Sequence, residues 1–163
     1  MTEALASWSE FNVAMAGATA ALAGLVIVAA SVNIDKIISA GTLTARLGAA
    51  IASLVLALVA SAVGLIPGLD PTWYGIVVLL SALTAGVFQF HATRVIVTDP
   101  TPEQRGRFAK AVLGFLPVAV YVASGVMLVL GSTSGLVLAA AGCLLAIVAA
   151  IVVSWVVLVE VLR

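Results

Sequence analysis

Residues 135–159 read GLVLAAAGCLLAIVAAIVVSWVVLV, and no side chain in that run carries a charge. A hydrocarbon core is about 30 Å thick, and roughly 20 helical residues cross it. The run is therefore long enough to span a bilayer. Four more apolar runs precede it. Together they predict transmembrane helices near residues 11–34, 43–66, 73–97, 108–130 and 135–162, forming one domain over 1–163. The expected fold is all-α: a polytopic membrane protein built as a bundle of five transmembrane helices, with the N-terminus outside and the C-terminus cytoplasmic.

Composition points to the same solvent. The chain has 163 residues, of which 64% are hydrophobic and 9% charged, and its mean hydropathy is +1.31. Soluble domains are about 45–50% apolar and about 25% charged. A protein this apolar cannot cover its own surface in water, so the lipid bilayer is its first partner. The net charge is zero and no basic run exists, which argues against nucleic acid as a partner. One cysteine, Cys143, cannot close an internal disulfide. Together with the single histidine, His91, it makes a poor metal site, and no metal or cofactor is expected. Five arginines against two lysines, with abundant Ala, Val, Leu and Gly, suggest a high-GC bacterial source. The expected location is the bacterial plasma (inner) membrane. No Lys or Arg precedes the first apolar run, so that run is expected to stay as an anchor rather than leave as a signal peptide.

The breaks between runs carry helix-start chemistry. Ser7-Trp8-Ser9-Glu10 reads as a capping box. Asp70-Pro71 places a cap before a first-turn proline, and Thr101-Pro102-Glu103-Gln104 adds a box-closing glutamine to the same pattern. Gly41 or Thr42, and Ser132-Thr133-Ser134-Gly135, offer the remaining starts. Orientation follows from the basic residues: Lys36, Arg46, Arg94, Arg105, Arg107, Lys110 and Arg163. With five spans all of them fall on one side, which the positive-inside rule makes cytoplasmic. The loops are too short to bury a core of their own, so function must reside in the bilayer, at its surfaces or with partners.

Two helices present small residues on one face. In the first, Gly17, Gly24 and Ser31 recur every seven residues, with Ala20 and Ala21 beside them. Such faces let helix backbones approach closely. Packing against another helix of the same chain is the commoner use; a subunit interface or a narrow pore is the sharper one. In the fifth helix Ala139, Gly142, Ala146, Ala149 and Ala150 form a similar stripe that leads to Val157 and Glu160. A charge near the apolar layer is a functional candidate, although Glu160 is also three residues from Arg163 and suited to pair with it.

A candidate polar cluster follows from depth. Asn33, Gln89, His91, Arg94 and Glu160, with Ser31, fall at the inner level of three helices. Ser81, Thr84 and His91 share one arc of the third helix, and Gln89 points away from it. His91 is a candidate proton-sensitive switch, because an imidazole in general changes charge near neutral pH, though a lone histidine more often bonds a neighbour. Pro117 interrupts the fourth helix, a tolerated kink in membranes. Trp8, Trp73 and Tyr74 near one boundary and Trp155 near the other fit an aromatic belt. Cys143 among Ala, Gly and Leu reads as a small core residue.

The stretch Phe11–Leu25, leading to Ser31-Val32-Asn33-Ile34, is similar to the first helix of small bacterial inner-membrane proteins, and Trp155–Arg163 is similar to their ending. Some of that group are labelled modulators of FtsH protease, a membrane-embedded AAA protease. The resemblance covers about a third of the chain and implies that the small-residue stripe, Asn33 and Glu160 matter. No serine–histidine–acid set, H-E-x-x-H or phosphate-binding glycine loop is present, so no enzyme activity is expected. The expected function is an accessory or regulatory interaction protein that works through helix packing with a second copy or another membrane protein. The alternative is a homo-oligomeric ion channel or small-solute transporter.

Overall fold

A computed structural model describes residues 2–39, 41–98 and 107–162, with side chains over 4–39, 42–98 and 114–160. The described residues form helices and short turns, with no strand among them. The helices are α1 (Thr2–Ala6), α2 (Ser9–Val32), α3 (Ile34–Ser39), α4 (Gly41–Val63), α5 (Pro71–Thr98), α6 (Arg107–Val129) and α7 (Ser134–Leu162). Ser9–Val32, Thr42–Val63, Pro71–Thr98 and Ser134–Glu160 are long and apolar enough to cross a membrane. The apolar stretch described in α6, Gly114–Val129, is shorter. The basic residues Arg105 and Arg163, and the start signal Thr101–Gln104, lie outside the described residues, as do the side chains of Arg107 and Lys110.

The long helices fall where the apolar runs do. Two short ones do not. The first long helix stops at Asn33, whose N–H bonds the Ala30 carbonyl at 3.1 Å. The chain then makes α3, held by Ile37, which is buried with Leu43, Leu47 and Val157. The Thr44 hydroxyl donates to the Ile37 carbonyl at 2.8 Å and ties α3 to α4. At the N-terminus, α1 forms with Leu5 buried in the main apolar core of the bundle. The expected capping box is not formed: Trp8 occupies the cap position of α2 without a side-chain bond, and Ser7 donates instead to the Ala4 carbonyl at 2.8 Å.

The other connections follow local chemistry. Asp70 Oδ1 accepts the Thr72 N–H at 2.7 Å, and Pro71 is the first residue of α5. Bonding by Thr72 holds the Asp70 carboxyl below its usual range. Gly131, with φ of +83°, ends α6. Its N–H bonds the Leu128 carbonyl at 3.0 Å, and the Ser132 N–H bonds that of Met127 at 2.8 Å, which is the Schellman closure.

In the bundle α4, α5, α6 and α7 pack in sequence, and α7 returns against α4 to close the ring. α2 lies outside that ring, mostly on α4. α5 and α6 approach closely. A methyl group added at Gly75 would lie 2.6 Å from Leu128 Cβ, and one at Gly125 would lie 3.0 Å from the Gly75 carbonyl. The Ser124 hydroxyl, buried in α6, donates to the Gly135 carbonyl at 2.7 Å and fixes α7 against it. Pro117 is buried inside α6, and the helix continues through it.

Candidate functional site

The small-residue stripe of α2 does not pack within the chain. Gly17, Ala20, Ala21, Gly24 and Ser31 are all exposed, and a methyl group at Gly17 or Gly24 would meet nothing within 4 Å. The residues that seat α2 are Asn12, Thr19 and Ala23, which are buried. At 100° per residue Asn12 lies about 140° around the helix from Gly17. Asn12 reaches α4 at its end, where a methyl group on Gly64 would lie 2.5 Å from Asn12 Nδ2. The expectation that this stripe packs against another helix of the same chain is thereby corrected. The polar residues, not the glycines, face α4.

α7 does the opposite. Gly142 and Ala146 are buried in the ring with Ala139, Ala149, Ala150 and Val157. The ring of Tyr121 lies over Gly142, where a methyl group would sit 3.0 Å from Tyr121 Cδ2. Beyond that stripe Glu160 Oε2 accepts a bond from Arg46 Nη1 at 2.5 Å. The pair links α7 to α4. The Arg46 side chain is 10% exposed and that of Glu160 36%. The partner suggested by sequence, Arg163, lies outside the described residues.

The expected polar cluster is dispersed: Glu160 pairs with Arg46, and its other four members lie in three separate places. Gln89 is buried on the inner face of α5, its carboxamide lying against Gly114 of α6, where a methyl group would come 2.6 Å from Gln89 Oε1. His91 and Arg94 are exposed on the outside of α5, and the Arg94 guanidinium stacks 5.1 Å from the centre of the Phe90 ring. Asn33 is half-buried at the α2–α3 break. The reason is helical geometry: His91 and Arg94 lie about 200° and 140° around α5 from Gln89 and cannot share its direction.

Sequence reading passed over two groups. One is Arg46, read only as a cytoplasmic-side charge, and Ser53, one face of α4 that meets Gln89. The other is a polar hub in which Asn12, Ser61, Tyr74, Tyr121 and Cys143 are all buried. Cys143 faces the Ser61 and Tyr121 hydroxyls, but the geometry leaves Tyr121 Oη without a hydrogen bond. Tyr74 is thus an interior residue, correcting its place in the aromatic belt; Trp73 and Trp155 are exposed. Trp8 is half-buried and meets Phe11 edge-to-face at 5.7 Å. The heptad step from Asn12 to Thr19 was the available signal for the inner face of α2. Among the described residues no three His, Cys, Asp or Glu side chains converge. Compared with protein families, curated proteins and solved structures, the chain gives no match.

Proposed function

We propose that this protein is a non-enzymatic accessory or regulatory subunit of a bacterial plasma membrane, acting through helix packing of α2 against a second transmembrane chain. The observation that carries this reading is the open face of α2. Its glycines have no neighbour within 4 Å, and Val13, Leu25 and Val28 beside them are exposed. Facing lipid, a glycine offers little to contact; facing another helix, it permits close backbone approach and the dispersion that goes with it.

The same reading takes α6 as the fifth span. Its 23 residues extend about 34 Å at 1.5 Å per residue, and it packs between α5 and α7. Five spans leave every Lys and Arg on one side, so the C-terminus is cytoplasmic and the N-terminus outside. The test is native mass spectrometry in nanodiscs, paired with cross-linking from α2 in cells. A defined oligomer or a captured partner that disappears in Gly24→Leu supports the reading. The family resemblance makes a membrane-embedded AAA protease the first partner to look for. A wild type that is monomeric and captures nothing rejects it.

A homo-oligomeric channel is the second reading. Exposed His91 and Arg94 on α5 favour it, because a pore between copies needs polar groups on an outer face. His91→Ala would then change ion flux while leaving assembly intact.

A further inference from the structure

Within the ring of α4–α7 lies a cavity of about 50 Å³, lined by Arg46, Ser53, Gln89 and Gly114 and by alanines and valines facing them. Ser53 and Gln89 are 4% and 6% exposed, and their side chains find no hydrogen-bond partner among the described residues. Elsewhere in the bundle unpaired polar atoms are sealed in protein, as at Ser154 Oγ and Tyr121 Oη. Those of Ser53 and Gln89 open instead on the cavity. A carboxamide in an apolar interior without a partner is costly, so a guest that bonds it is favoured.

The chemistry of the lining selects the guest. Arg46 has five N–H donors, and Nη1 supplies the one that bonds Glu160 Oε2. Gln89 adds two donors and Ser53 one, whereas the acceptors are one amide oxygen and one hydroxyl. Among the described residues Arg46 is the charged group of the lining, and no carboxylate lines it. Glu160, behind Arg46, offsets part of the guanidinium charge, which suits a single negative charge better than two. A water needs about 10–15 Å³ measured this way, so the space holds an ion with a few waters and is far below an organic-ligand pocket of about 300 Å³. Gly114 keeps the site open, since a methyl group there would press into the Gln89 carboxamide.

We propose that this cavity is a binding site for a small monovalent anion of chloride size, held by Arg46, Gln89 and Ser53. It is independent of what α2 packs against. The probe is chloride, titrated against gluconate at constant ionic strength onto the full chain in nanodiscs and read by chlorine-35 line broadening. The wild type is expected to broaden the line saturably. Gln89→Leu and Ser53→Ala are each expected to weaken apparent affinity about tenfold, the effect of one lost charge-assisted hydrogen bond. His91→Ala, on the opposite side of α5, keeps wild-type affinity. A wild type that broadens the line no more than empty nanodiscs means the cavity holds water only, and overturns the proposal. So does wild-type affinity in the two cavity variants when their melting in gluconate is normal. Should Gln89→Leu fail to fold, Ser53→Ala, which removes one oxygen, decides the matter alone.

Discussion

Gly17, Ala20, Ala21 and Gly24 of α2 and Gly142, Ala146, Ala149 and Ala150 of α7 are small residues repeating at helical spacing, yet the first set is exposed and the second is buried. Small side chains permit close approach without choosing a partner. In α7 the choice is made by neighbours on both sides: Tyr121 of α6 fills the groove over Gly142, and α4 closes against the alanines. In α2 it is made by Asn12 and Thr19, whose polar groups leave the lipid for the interior. Thr19 satisfies its hydroxyl on the Met15 carbonyl at 2.7 Å. The teaching is that in a membrane a polar residue orients a helix more firmly than a glycine does, because apolar surface is equally content facing lipid or protein.

The sharpest way to break this contrast is to place the same side chain on both faces. Ala146→Leu inserts atoms where nothing is exposed and is expected to cost about 3 kcal/mol. Gly24→Leu meets open space and is expected to change the stability of the isolated chain by less than about 0.5 kcal/mol. Thermal unfolding of both variants in detergent measures the difference, and equal losses would remove the contrast.

Next in size is the α4–α7 link. Glu160→Gln leaves Arg46 almost buried without its counter-charge. Because the Glu160 side chain is 36% exposed, the loss is discounted to about 1–2 kcal/mol. Chemical denaturation checks it, and an Arg46→Met, Glu160→Leu double variant should recover part of the loss. Ser124→Ala removes the buried bond to Gly135 between α6 and α7, for about 1 kcal/mol.

The smallest effect belongs to the fully exposed Asp70 cap. Its carboxyl is held below its ordinary value of 3.8, chiefly by Thr72. The ionised cap therefore stabilises the fold at every pH above that ordinary value and loses this contribution as pH falls through the lowered one. Asp70→Ala should lower the melting temperature slightly at neutral pH and leave it unchanged from wild type in strong acid. A deficit that persisted in acid would assign the effect to something other than the charge.

The Asp70–Pro71 start of α5 was legible in the sequence because capping is local, requiring only residues that adjoin. Gln89 was legible as pointing away from His91 for the same reason, since both lie on one helix. Its companions Arg46 and Ser53 were not, because they come from α4 and nothing local links the two. The Ser7–Glu10 box does not form because Leu5 is buried in the main apolar core and the Ser7 hydroxyl bonds the Ala4 carbonyl at the end of α1.

By itself the sequence determined that the chain is helical and where its long helices run; it read five of them as membrane spans, and among the described residues four are long and apolar enough to cross. Those properties depend on runs of neighbouring residues. Only the tertiary structure decided which small-residue face is sealed and which is open, and that Glu160 meets Arg46 across 114 positions of chain. With Ala, Gly and Val on every side of these helices, many rotations bury similar surface. The choice among them is made by a few long-range polar and steric contacts that no local pattern records.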